Sequence, residues 1–397
     1  MPRHRTALPP EIKELIALIR QGRLFEVQRW IADGKPIRLP AEGNFIISPT
    51  EAAMKIGFHS MVECLLEHLR EEEDLDGLLH MAVRLGRLDL VELMHRFGAN
   101  PSTITIEDAA DTSNPLILRW FEDHGVDWFT DRPLASAFRW RKRAALGSYK
   151  RMRDKIPELQ DQIDEALRYH AREGDLKWVS LLTWAGANPR SAPREEEEGS
   201  YYGSAIEAAA GRGHFAVLKR LKPTPSDDLD ALLSVGSSSL EVITYLVELG
   251  ANPASEKGAK AMRHFMMFLD WGADHRSFGK DWRRYLEMLV FLGSKGGRWT
   301  QEEGWTHARR PLWRLSPSDA IFCMAQLVDS GVFSQEVFKE LVRTPKLKEI
   351  LKDWSPGAKR LREFAGLKEP EAPQYRSSGG SSRGGGYKRS WWARKQE

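Results

Sequence analysis

The chain is poor in cysteine, with only Cys64 and Cys323 in 397 residues. Two thiols so far apart exclude a disulfide-stapled secreted scaffold. They read as buried thiols in a reducing, cytoplasmic setting. No run reaches the ~18 consecutive apolar residues that a membrane-spanning helix needs, so no membrane role is expected. The start, Met1-Pro2-Arg3-His4-Arg5, leads into charged helix and not into the apolar stretch of a signal peptide. Net charge is only +3, short of the basic excess usual in nucleic-acid-binding domains. Motifs of chemistry are missing as well: no Gly-rich phosphate loop, no Cys-x-x-Cys, no His-Glu-x-x-His. Glu92 and His95 can share one helix face, yet a zinc site needs three or four ligands. Asp281, Glu287, Glu302, Glu303, His307 and Asp319 fall at no spacing that matches a reaction. No catalysis, metal or cofactor is therefore expected.

What the chain does have is a repeated pattern. From Asp76 to Pro101 it reads as two short helices. Leu79, Ala82 and Val83 mark one apolar face, and Leu90, Val91, Leu93 and Met94 another. Gly86 marks the turn between the helices and Gly98 the stop after them, with Pro101 blocking continuation. The ending Gly98-Ala99-Asn100-Pro101 returns as Gly186-Ala187-Asn188-Pro189 and Gly250-Ala251-Asn252-Pro253, and more weakly as Gly272-Ala273-Asp274. Helices this short cannot bury an apolar face alone, so the repeats must stack on one another.

The segment resembles an ankyrin repeat. Leu79-His80-Met81-Ala82 matches the second half of that family's Thr-Pro-Leu-His-x-Ala motif, and Gly213-His214 matches its Gly-His turn. Ser48-Pro49-Thr50-Glu51-Ala52-Ala53 matches the motif's opening, with Ser for Thr and Glu for His. The resemblance implies an all-α, ankyrin-like helical-repeat solenoid of about seven to nine units. It also implies that His80 braces its turn by hydrogen bonds, and that the chain is a non-enzymatic scaffold or adaptor for protein partners.

On this reading residues 1–10 are a leader. Residues 11–130 and 163–276 are ankyrin-like repeats, the last of them a shortened unit ending at Asp274. Residues 131–162 are a basic degenerate repeat or insertion. Residues 277–367 are divergent helical repeats or a helical C-terminal cap, with amphipathic helices at 282–292, 320–328 and 337–351. Residues 368–397 are a flexible basic tail rich in Gly, Ser and Trp. The acidic run Glu195–Glu198 reads as a loop between units.

Two stretches stand out as candidate partner-binding elements. Residues 131–155 hold nine Lys/Arg against two Asp, a net of +7. Arg139, Trp140, Arg141, Lys142, Arg143, Lys150, Arg151 and Arg153 either form a positive face for nucleic acid or an acidic protein, or pair with neighbours such as Glu158 and Asp161. The tail carries Lys388, Arg389, Trp391 and Trp392. Two adjacent tryptophans in a polar tail dock back on the solenoid or a second copy, or anchor in a partner, or contact nucleic acid. The partner's identity and the oligomeric state are open at this point.

Overall fold

The computed structural model describes residues 7–40, 47–71, 73–112, 114–194, 203–235, 239–273, 282–299, 312 and 315–370. Among these, 22 α-helices and no strand occur. A lone parallel bridge joins Thr105 and Asp127. The acidic run 195–198, Asp274, the turn at 236–238, Trp305, Trp313 and the tail from residue 371 lie outside the described residues. None of the described helices is long and apolar enough to cross a membrane.

The chain divides into two compact units. The first spans residues 1–265 and 287–298, the second 266–286 and 299–397. In the first, eight helix pairs follow one another. They are α1 (Pro10–Arg20) with α2 (Leu24–Ala32), α3 (Pro49–Ile56) with α4 (His59–Leu69), α5 (Leu75–Arg84) with α6 (Leu88–Phe97), and α7 (Ile106–Asp111) with α8 (Pro115–His124). Then come α9 (Pro133–Arg139) with α10 (Ala144–Met152), α11 (Leu159–Glu173) with α12 (Leu176–Ala185), α13 (Ala205–Gly211) with α14 (Phe215–Leu221), and α15 (Leu229–Ser234) with α16 (Leu240–Glu248). The partners of each pair touch. Each odd-numbered helix also packs on the next odd one, and each even-numbered helix on the next even one. The basic stretch at 131–155 is the pair α9–α10 and packs in both rows like the others.

The Gly-Ala-Asn-Pro endings have a physical account. Gly98, Gly186 and Gly250 take φ of +106°, +112° and +113°, a region that costs L-residues about 1 kcal/mol or more. The next amide reaches back five residues to a helix carbonyl, as Ala99 does to Met94 at 3.0 Å and Ala251 to Leu246 at 2.9 Å. That satisfies a carbonyl the helix end leaves unpaired. The Ala methyl is buried. The Asn side chain then accepts from the amide two residues on: Asn100 from Ser102 at 3.0 Å, Asn252 from Ala254 at 2.9 Å.

Starts are equally local. Ser48 with Glu51, Thr105 with Asp108, and Ser204 with Glu207 each form a reciprocal capping box. At Ser48 the two bonds measure 3.0 and 3.1 Å. Helix α9 has no cap of its own. Gln162 of α11, itself buried, supplies one by accepting from the amides of Leu134 (2.9 Å) and Ala135 (3.3 Å).

Two expected helices come out differently. The shortened unit ending at Asp274 is instead carried by one 18-residue helix, α17 (Glu256–Ala273), which runs through Gly272. With no Asn-Pro after Gly272-Ala273, the stop that ends the other repeats is incomplete. Helix α18 (Trp282–Ser294) agrees with expectation, and so does α19 (Pro317–Asp329), which covers 320–328. The single helix expected at 337–351 is two, α20 (Gln335–Leu341) and α21 (Pro345–Ile350). Pro345 cannot accept a continuing helix and disfavours helical backbone at Thr344, so it opens a new one. In the second unit α19 packs on α21 and α22 (Pro356–Ala365), and α20 on α22. Phe333, Phe338 and Leu341 are buried there, with Phe364 edge-on to Phe338 at 5.7 Å.

Candidate partner-binding surface

Six of the eight turns inside a pair are built alike, those of α7–α8 and α15–α16 lying partly outside the described residues. The first helix ends, one residue takes positive φ, and two amides fold back. Gly22, Gly57, Gly86, Gly174 and Gly213 fill that slot with φ of 67° to 75°. In α9–α10 the slot holds Arg141, at φ +64°. Its amide bonds Phe138 at 2.9 Å and the next amide bonds Ala137 at 2.8 Å, as Gly86 and Arg87 bond Val83 (3.0 Å) and Ala82 (3.2 Å). A non-glycine residue there stores about 1 kcal/mol of strain.

Arg141 is held from the next pair. Its Nε donates to Asp175 Oδ2 at 2.9 Å. Burial works against the Asp175 carboxylate. The Trp178 amide and the Arg141 guanidinium outweigh it and hold Asp175 below the usual carboxylate range. Beside this pair lies His170, fully buried, stacked on Trp178 at 5.4 Å. Its Nε2 meets the Phe138 carbonyl at 2.9 Å. Burial pushes the imidazole down, against the raising influence of that carbonyl and of Asp175. The neutral ring therefore carries its proton on Nε2. Nδ1 has no hydrogen-bond partner and lies 3.7 Å from Asp175 Oδ2.

The other basic residues separate into paired and unpaired sets. Arg139 reaches Glu165 at 3.5 Å and lies over the Tyr169 ring at 5.1 Å. Arg172 sits on the same ring at 5.5 Å. Lys142 pairs with Asp111, and Arg132 with Glu165. Arg151 donates to Glu122 at 2.9 Å, and Glu122 is almost fully enclosed. Arg153 contacts Asp154 at 3.6 Å and the Ala185 carbonyl at 3.0 Å. Among the described residues Arg143, Lys150 and Lys155 have no carboxylate partner. Lys150 instead places Nζ 3.5 Å from the centre of the Trp184 ring. Trp140 is 67% exposed.

The acids that pair are not those expected from the neighbouring sequence. Asp161 takes Arg194, and Glu158 pairs with none of these cations. Apart from Asp154 beside Arg153, the partners Glu165, Asp175, Asp111 and Glu122 come from the helix pairs stacked on either side. The stretch is not one patch. Arg139 is on the odd row and meets α11, whereas Lys150 is on the even row and meets α12. Lys388, Arg389, Trp391 and Trp392 lie outside the described residues.

His80 is half-buried, and among the described residues its side chain makes no hydrogen bond of the expected bracing kind. The braces are His170, His214 and His264, which meet the carbonyls of Phe138, Arg172 and Ser234 at 2.9 Å. His59 lies 3.9 Å from Glu63, and His95 packs edge-on to Trp120 at 5.3 Å. Among the described residues no three His, Cys, Asp or Glu side chains cluster as metal ligands. Cys64 is half-buried, not fully buried as expected, while Cys323 is enclosed and its thiol is pushed up to about 12 by burial.

A further device was missed. Asp76, Asp164 and Asp230 accept from the amides of Asn100 (2.7 Å), Asn188 (2.6 Å) and Asn252 (2.6 Å). Each ties an odd helix, near its start at Asp76 and Asp230 and further along at Asp164, to the Gly-Ala-Asn-Pro ending of the same pair. The available signal is an Asp three residues before a core Leu (Leu79, Leu167, Leu233) and 22 to 24 residues before each Asn.

An open groove of about 350 Å³ lies between α14 and α16. Phe215, Leu240 and Tyr245 line it, with Glu241 and Glu248 at its edge. No protein-family model matches the sequence, and no curated protein matches it.

Proposed function

We propose that the chain is a non-enzymatic protein–protein interaction scaffold built as an ankyrin-like solenoid, working in the cytoplasm. One observation carries the reading. The eight helix pairs stack in an odd row and an even row, each pair packing on its neighbours in the series of α1 to α16. Such a stack has no single enclosed centre for chemistry and presents a long run of side chains for contact. The recurrent glycine turns and Gly-Ala-Asn-Pro endings support the ankyrin-like assignment. The free thiols Cys64 and Cys323 support a reducing compartment. The partner is a protein of unidentified sequence. The Arg139–Arg143 turn and, from sequence alone, the Trp391–Trp392 tail are its contact points.

A second reading, an adaptor on nucleic acid, is favoured by the unpaired Arg143, Lys150 and Lys155 and by the basic tail. Affinity capture from cell extract decides between them. The full chain is compared with a variant carrying Arg139→Glu, Trp140→Ala and Arg143→Glu, with and without nuclease. A protein retained by the full chain, lost with the variant and indifferent to nuclease supports the scaffold. Loss on nuclease treatment supports the adaptor. Failure to retain any protein reproducibly would sink the first reading.

A further inference from the structure

The even row has a section with cations and no acids. Helices α10, α12 and α14 are consecutive neighbours in that row. Between them they hold Lys150, Arg151, Lys177, Lys219 and Arg220, and not one Asp or Glu. Among the described residues only Arg151 of these is paired with a carboxylate, Glu122. Acids resume on the flanking helices, with Glu122 and Asp123 on α8 and Glu241 and Glu248 on α16.

Among these cations Lys150 lies against an exposed aromatic ring, Trp184, while Lys219 places Nζ 6.0 Å from the Phe215 ring of its own helix. Lys177, Ser180 and Trp184 fall three and four residues apart on α12 and so share one face. Lys150 reaches Trp184 from α10 at 3.5 Å, and Arg220 reaches Ser180 from α14 at 3.2 Å. These contacts knit three helices into one surface. Trp184 is 64% exposed at its centre. A ring that open in a field of cations leaves apolar area in water with no gain from folding. Trp and Arg are also the side chains most often found as anchors of interfaces.

We propose that the α10–α12–α14 surface docks a short acidic protein segment. The segment's carboxylates meet Lys150, Lys177, Lys219 and Arg220, and an apolar side chain of the segment covers the open part of Trp184. This goes further than the scaffold reading, on which it rests, by placing a partner of stated chemistry on the even row, apart from the Arg139–Arg143 turn. An acidic segment fits better than a single-stranded nucleic acid. Strand binding uses a series of aromatic platforms on which successive bases stack. Here one exposed ring, Trp184, stands on these helices, and an ammonium group already occupies one of its faces.

The test uses the full chain and a labelled peptide of alternating glutamate and leucine, read by fluorescence anisotropy. An oligothymidylate of equal charge is the competing probe. Three variants are compared: Lys150→Glu with Lys177→Glu and Lys219→Glu, Trp184→Ala alone, and Arg139→Ala with Arg143→Ala. Each replaces exposed side chains, and far-UV circular dichroism checks that each variant is folded. The charge reversal is expected to weaken the peptide at least about tenfold at low salt, and less as salt screens the charges. Trp184→Ala is expected to weaken it roughly threefold to tenfold at every salt concentration. The turn variant changes it less than about twofold, because Arg139 ends the odd-row helix α9 and Arg143, the residue before α10, stands about 10 Å along that helix from Lys150.

Peptide binding that ignores the charge reversal overturns the proposal. So does an oligothymidylate bound as tightly as the peptide. If the turn variant alone abolishes peptide binding, this surface is wrong while the scaffold reading stands. If no form of the chain binds the peptide, this inference falls, and the capture experiment still decides the scaffold reading separately.

Discussion

Arg141 in the glycine slot offers a clean measurement of stored strain. Replacement by glycine removes two things at once: a left-handed backbone that costs an L-residue about 1 kcal/mol more than glycine, and the ion pair with Asp175 at 2.9 Å. The Arg141 side chain is 57% exposed, and exposed pairs contribute only about 0.2 to 1 kcal/mol. Strain relief outweighs the lost pair, so Arg141→Gly is expected to stabilise by about 0.5 kcal/mol. Arg141→Ala loses the pair and keeps the strain, so it destabilises by about the same amount. The difference between the two variants cancels the ion pair and isolates the backbone strain, about 1 kcal/mol in favour of glycine. Urea unfolding of the full chain, followed by circular dichroism, reads this from the midpoints, provided the slopes agree. An alanine variant as stable as the glycine variant would refute the argument. It would mean the turn relaxes around Arg141 at no cost.

Three further outcomes follow from the same geometry. His170 is held neutral when folded, so on acidification the unfolded chain takes up a proton first; its contribution is intact above pH ~6.5 and is lost as pH falls below that value. Unfolding midpoints between pH 7.5 and 5.5 should fall more steeply for the native chain than for His170→Gln, by at most about 1.4 kcal/mol per pH unit, and equal slopes would show that His170 is not the group. Asp164→Ala should cost roughly 1 to 3 kcal/mol and Asp76→Ala nearer 1, because the Asp164 anchor is buried and the Asp76 anchor faces solvent; the reverse order in urea midpoints would contradict this. A thiol reagent on the native chain should modify Cys64 and leave Cys323 untouched until denaturant is added, and simultaneous labelling would mean that the second unit opens on the timescale of the reaction.

The helices of the first unit were legible because their signals are short in range. An apolar stripe at helical spacing, a glycine at the turn and Gly-Ala-Asn-Pro at the stop all act within one pair of helices. Where those signals were incomplete the reading failed. Gly272 lies within α17, which ends at Ala273 among the described residues, and the apolar pattern at 337–351 concealed the break before Pro345. The capping boxes at Ser48, Thr105 and Ser204 were present in the sequence and went unread. His80 showed the limit of a motif. It matches a motif position by resemblance alone, yet the bracing carbonyl contacts are made by His170, His214 and His264, whose partner carbonyls lie 30 to 42 residues away.

By itself, then, the sequence determined that the chain is helical, where most turns fall, and that the stretch at 131–155 is exceptionally basic. Those properties depend on residues within a few positions of one another. Which of its cations remain unneutralised was decided only by tertiary structure. Stacking brings Glu165 to Arg139, Asp175 to Arg141 and Glu122 to Arg151 across 26 to 34 residues. The same stacking leaves Lys150 on Trp184 beside Lys177 and Arg220. Coulomb energy depends on separation in space, and in a stacked chain the nearest charge belongs to the next pair of helices more often than to the next residue.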